Sequence, residues 1–301
     1  MTMPNNERAA NPLLAEVTAV IGILSDPVDF HAMRRLAAVP LDDYDAYLRH
    51  VEALLRSHTA NGQHTLAVLL DPTDYANFCS QRSIDPAAPL SRALFTAAEA
   101  TSAAHVVYEG QDLRELIGAL ADRAIEQATF EFASGLVLSL GDCSRCGHDI
   151  GHAAIQTAKR LLAALLDGAG SQGSSRLVCS LMFEGNPLTA SLHVTHEPAD
   201  APAGASPIDI VRFTTILAAA LATGGSGGVL MRTTPSDPET HERVHGWRVL
   251  HGRLAPLTAA EVFDAYCTGP TPGDLISPEP SVDYCAGFEL PEDTDESVHR
   301  H

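Results

Sequence analysis

Apolar positions along this chain fall into two spacings. At 41–58, Leu41, Tyr44, Leu48, Val51, Leu54 and Leu55 recur every three or four residues, which puts them on one face of a helix that Asn61-Gly62 ends. The same period predicts helices near 12–24, at 89–101, at 150–166 and at 208–222, and a long one from Asp112 through Leu113, Leu116, Ile117 and Leu120. Asp71-Pro72-Thr73-Asp74 combines a capping acid, a proline suited to the first helical position and a first-turn carboxylate, so it opens a further helix. Alternation marks strands instead. Leu188, Ala190, Leu192 and Val194 point one way and Thr189, Ser191, His193 and Thr195 the other. This strand pairs with "RLVCSLMF" around a turn at Glu184-Gly185-Asn186-Pro187. Short apolar runs predict strands at 64–70, 105–108 and 229–234, while "GLVLSLGD" at 135–142 reads as the end of the long helix or as a strand. "WRVL" and "RLAPL" flank His251-Gly252 as a hairpin, and Thr258 and Glu261 then form a capping box for the helix "AAEVFDAY".

These elements predict an α/β or α+β fold with mixed sheets flanked by helices, in two subdomains. The expected division is a disordered leader at 1–10, an N-terminal α/β subdomain at 11–140, a C-terminal α+β subdomain at 141–285 and an acidic tail at 286–301. Segments 153–183 and 208–234 share a plan of helix, Gly/Ser turn and strand, which a common αβ unit accounts for. "GGSGG" follows a helix and precedes a strand. Phosphate-cradling loops lie the other way round, so it is read as a connector.

Charge narrows the partners. The chain has 301 residues and a net charge of -19, from 38 acidic and 19 basic side chains. A direct nucleic-acid or membrane contact needs a cationic face, so neither is expected and a protein partner is. Lys159 is the only lysine, which fits a GC-rich bacterial genome and removes any G-x-x-x-x-G-K nucleotide loop. The six cysteines are spread thinly, the N-terminal residues lack a signal-peptide apolar run, and the most apolar stretch, 210–222, is too short for a bilayer and contains Arg212. Together these predict a cytoplasmic protein with reduced thiols.

Two motifs carry candidate chemistry. In "CSRCGHDIGH", Cys143 and Cys146 have the spacing at which two thiolates can face one tetrahedral ion. His148 or His152 would add a ligand, with Cys179 or His193 to complete a structural zinc site. A strand, C-x-x-C and a helix also resemble the thioredoxin arrangement. That fold's intervening helix is missing before Pro187, and no Trp or Pro flanks the pair. "HDIGH" is similar to the His-Asp core of HD-type phosphohydrolases. Those are all-helical, whereas His105 opens a strand and the chain turns to β pattern after 175. The bland reading makes Asp149 a helix cap and the cysteines small core residues.

The second motif is "HERVHGWRVLH". His241, Glu242 and His245 spell H-E-x-x-H, and His251 stands where the metzincin pattern has its third zinc ligand, with Glu242 as the base toward zinc-bound water. The preceding "TTPSDPET" is polar and broken by proline. Arg248 replaces that family's glycine, and no methionine follows Met231. The hairpin at 247–257 takes His251 to a loop tip, which leaves Glu242 as a solvated loop acid. The expectation is therefore a non-catalytic cytoplasmic binding or regulatory protein of unknown ligand and cofactor, with zinc as the ion the 143–152 residues would take. The alternatives are a zinc-dependent hydrolase using His241, Glu242, His245 and His251, and an acidic DNA-mimic decoy.

Overall fold

The computed structural model describes residues 18–37, 39–101, 104–170, 173–196, 204–237, 239–267 and 277–291. Its helices and two mixed sheets make an α+β protein, in two compact units divided between Ala128 and Thr129. The division falls inside a single long helix, α5 (Leu113–Ser139), earlier than the boundary near 140 read from the sequence.

The N-terminal unit is built on β1 (Ala19–Ile23), β2 (Thr65–Leu69) and β3 (His105–Val107), in that order, with β1 and β2 parallel and β3 antiparallel to β2. The helix expected at 12–24 is corrected: 19–23 form β1, and 12–17 lie outside the described residues. "AVIGI" is β-branched and apolar, with Ile21 and Ile23 buried, so pairing in a sheet overrides the helical spacing. Both parallel strands then run into the same local sequence. Asp26-Pro27-Val28-Asp29-Phe30 starts α1 (Pro27–Leu36), and Asp71-Pro72-Thr73-Asp74-Tyr75 starts α3 (Pro72–Arg82). Asp26 accepts from Asp29 N, Asp71 accepts from Thr73 N and Asp74 N, and Phe30 and Tyr75 are fully buried. Helix α2 (Tyr44–Ala60) supplies Tyr47, Val51 and Leu55 to the core, and α4 (Pro89–Thr101) supplies Phe95. Because β1 and β2 are neighbours in register, Ile23 against Leu69, both acidic caps stand at one end of the sheet. Burial, together with the nearby Asp26 and Asp71, holds the Asp29 carboxyl above its ordinary range. Burial and Asp71 do the same to Asp74.

In the C-terminal unit, α6 (Ile150–Ala169) leads into β4 (Gly173–Phe183) and β5 (Asn186–His196), and α7 (Pro207–Thr223) leads into β6 (Ser226–Thr234) and β7 (Glu242–Leu250). Next come β8 (Arg253–Pro256), α8 (Ala259–Cys267) and β9 (Val282–Tyr284). The strand order is β5-β4-β6-β7-β8, all antiparallel neighbours, and β9 lies parallel to the start of β7. One core joins α6 and α7 to one sheet face through Leu162, Leu165, Phe213, Leu217, Leu177, Met231 and Trp247. A smaller core puts α8 on the other face, with Val262 against Val244 and Val282. The capping box at Thr258 forms as expected: Glu261 N donates to Thr258 Oγ1, and the Glu261 carboxylate accepts from Thr258 N at 2.8 Å.

The tail expected from 286 is corrected for its first part. Ala286–Leu290 lie against β7: Trp247 Nε1 donates to the Phe288 carbonyl at 2.9 Å, the two rings meet edge to face with centroids 4.8 Å apart, and Leu290 packs on the main core. Residues 292–301 lie outside the described residues.

Candidate functional site

The register of the six-stranded sheet gives its helix-facing side a gradient. The row Ala190–Cys179–Val229–Trp247 is wholly apolar, and the row Leu192–Leu177–Met231–His245 is apolar up to its last member. The next row, Val194–Ser175–Thr233–Arg243, is polar in three of its four places. Helix α6 follows the apolar rows and stops at Ala169, with Gly170 as its C-cap. Beyond it the polar end of the face lies open. Gly168, Ala169 and Gly170 on the helix side, with Thr233, Pro235, His241, Arg243 and His245 on the sheet side, line a cleft of about 250 Å³.

Alternation along β7 puts Arg243 and His245 on this one side, and His241, just before the strand, lines the same cleft. His245 is fixed: its Nδ1 lies 2.8 Å from the Ala286 carbonyl, which requires the proton on Nδ1, and its ring meets Phe288 edge to face. His241 Nδ1 is 3.3 Å from Asp283 Oδ1. Arg243 is exposed, and among the described residues its guanidinium has no carboxylate or hydrogen-bonding partner. The opposite face of the same strands is saturated. There Arg232 bonds Glu242, Glu279 and Tyr266, and Thr234 donates to Glu242 at 2.7 Å. The hydrogen bond to Glu279, followed by that to Glu242, pushes the Arg232 guanidinium above its ordinary range against the opposing effect of burial. The Arg232 bond holds Glu279 below the usual carboxylate range.

Phe288 packs against two residues that line the cleft, His245 and Gly168, and Gly168 lets it come close. A methyl group at Gly168 would overlap the Phe288 ring. Gly168→Ala is expected to lower the stability of the C-terminal unit by about 1–3 kcal/mol, a typical cost of overpacking, and to loosen 286–290. Hydrogen exchange of those amides checks this.

The metalloprotease alternative is corrected by this geometry. H-E-x-x-H needs a helix, but 242–250 is a strand. Four residues of strand separate His241 from His245 by about 13 Å, too far to share one ion. His251 sits in the β7–β8 turn with φ +49, at the tip of the expected hairpin. Glu242 is not a loop acid: it lies in β7, bonded to Arg232 and Thr234 on the face away from both imidazoles. Of the 143–152 residues, Cys143 and Cys146 share one closed turn, in which Cys143 Sγ accepts from the Arg145 amide, while His148 and His152 join no shared site. Among the described residues no group of three or more His, Cys, Asp or Glu is placed to hold a metal ion. Asp149 caps α6, accepting from His152 N. The Arg145 amide, first among several contacts, holds the Cys143 thiol below its ordinary range. Ser175 Oγ lies 2.8 Å from His196 Nε2, the spacing of a nucleophile and its base, but Ser175 has no exposed surface on which to meet a substrate.

Sequence reasoning missed Arg243 as a site residue, and it missed α1. The H-x-R-x-H alternation was the available signal for the first, hidden by the competing H-E-x-x-H spacing, and Asp26-Pro27 was the signal for the second. Residues 7–111 match a family model described as a domain of unknown function (DUF8829). No curated protein and no solved structure matches the chain. No helix among the described residues is long and apolar enough to cross a membrane.

Proposed function

We propose that this chain is a non-catalytic, cytoplasmic binding protein whose C-terminal unit holds one carboxylate of a protein partner in the cleft between α6 and β7. The observation that carries the reading is Arg243. It is a guanidinium without a partner among the described residues, at the polar end of a sheet face, with an imidazole on each side and the Thr233 hydroxyl as its cross-strand neighbour. A guanidinium fork suits a carboxylate bound by two parallel N–H···O bonds. The cleft's size suits one side chain or chain end rather than a large cofactor. The net charge of -19 favours a partner that is basic as a whole, and the cleft then selects a single acidic group on it. Six free thiols fit a reducing compartment.

Trp247 is the only tryptophan, and its ring lies 6.3 Å from that of His245, so its emission reports on the cleft. A blocked Gly-Glu peptide is expected to change that emission saturably, and the Gly-Gln peptide is not. Arg243→Gln should weaken the Glu peptide by about 10- to 100-fold, the effect of removing a charge-assisted bidentate contact. Equal responses to Glu and Gln peptides, or an unchanged affinity in the variant, would overturn the reading.

A further inference from the structure

Cys143-Ser144-Arg145-Cys146-Gly147 folds as a closed turn that the cleft does not use. Cys143 N donates to the His148 carbonyl at 2.8 Å, and Gly147 N donates to the Cys143 carbonyl at 2.8 Å. Gly147 has φ +73, a left-handed conformation that an L side chain would strain, and it lets the chain reverse directly after the second cysteine. The Arg145 amide points at Cys143 Sγ from 3.4 Å, and Cys146 follows on the same closed turn. Cys143 has only 4% of its surface exposed, yet it belongs to no hydrophobic core. Residues 144–149, Cys146 among them, are exposed.

A C-x-x-C turn that aims an amide at the first sulfur and reverses at a left-handed glycine directly after the second is organised for thiolates facing one ion. It does not suit dithiol exchange of the kind a helix N-terminus activates. Helix α6 begins at Ile150, Gly147, His148 and Asp149 separate it from Cys146, and the Asp149 carboxylate already occupies the helix end.

We infer that Cys143 and Cys146 form half of a four-thiolate zinc site, which the same pair from a second copy of this chain completes. A closed tetrahedral site takes four ligands. The turn gives two, and no third His, Cys, Asp or Glu among the described residues joins them. Cys146 and the rest of 144–149 are exposed around the buried Cys143, so the turn can meet its own copy about a two-fold axis and close the shell with one isologous contact. Loading releases the thiol protons and leaves a double negative charge on the zinc–thiolate centre. The exposed Arg145 of each copy, on the same turn, offsets it.

The test uses the full chain without an affinity tag, reduced, stripped of metal, and titrated with Co²⁺ and then Zn²⁺. Thiolate-to-cobalt absorption should saturate at about half an equivalent per chain, as four thiolates from two chains require. The mass should double from 31.9 kDa, and a chelator should reverse both changes. Cys146→Ser, at an exposed position, should abolish the absorption and the dimer with an unchanged circular dichroism spectrum. Cys285→Ser, outside the turn, should alter neither. Saturation at one equivalent on a monomer, the same absorption in Cys146→Ser, or no saturable absorption would overturn the inference.

Discussion

Trp247→Ala should destabilise the C-terminal unit by about 3–5 kcal/mol, the range for removing a fully buried tryptophan. Trp247 has no exposed surface. It joins the main core on the α6/α7 side of the sheet, stacks edge to face on Phe288 and donates to the Phe288 carbonyl. The substitution therefore opens a cavity, removes an aromatic pair and leaves a carbonyl without its donor. The thermal midpoint of this unit, followed by circular dichroism, should fall by roughly 10 °C. Amides of 286–290 should lose protection from hydrogen exchange, because that segment is fastened to β7 through this ring. Phe263→Ala, at a position 39% exposed, should cost far less. Similar losses in the two variants would contradict the assignment of Trp247 to the core.

Alkaline pH should produce the second large effect. Burial pushes the Cys179 thiol up from 9.0 to about 12, and burial pushes the Tyr47 phenol up from 10.0 to about 12. Both groups favour the neutral form in the fold. Their contribution is fully present below the unfolded values and is lost as pH rises from there through the folded ones. A shift of that size corresponds to about 4 kcal/mol for Cys179 and about 3 kcal/mol for Tyr47. The C-terminal unit should thus weaken from about pH 9 upward, and the N-terminal unit from about pH 10. Cys179→Ala should flatten the C-terminal slope, at some loss of neutral-pH stability from its small cavity. Tyr47→Phe should flatten the N-terminal slope, and it also deprives Leu24 N of its acceptor. Urea melts at a series of pH values measure both. Equal slopes in wild type and Cys179→Ala would contradict the buried-thiol account.

Much of the fold was legible because single elements carried their own signals. The strand at 186–196 alternates without exception over its buried positions, Asp71-Pro72 states a helix start, and Thr258 with Glu261 states another. Where the reading failed, tertiary pairing outweighed local pattern. The segment 19–23 has helical spacing, but its β-branched residues pair with β2. The segment from 286 is acidic in composition, but Phe288 and Leu290 find the core. The cleft was the least legible part. H-E-x-x-H is a pattern of period four, and on a strand its members part company. Glu242 turns to Arg232 on one face, while Arg243 and His245 share the other and His241 lines the same cleft. Only the strand register, which depends on contacts far along the chain, shows that Arg243 ends a polar row containing Ser175 and Thr233.

The histidine ring resonances, followed by NMR during titration with the blocked Gly-Glu peptide, test the cleft most directly. His241 and His245 should shift together and saturate, His193 on the other face of the sheet and His58 in the N-terminal unit should stay in place, and Arg243→Gln should remove the response. Shifts spread evenly over all four rings, or shifts that persist in Arg243→Gln, would contradict the carboxylate reading of the cleft.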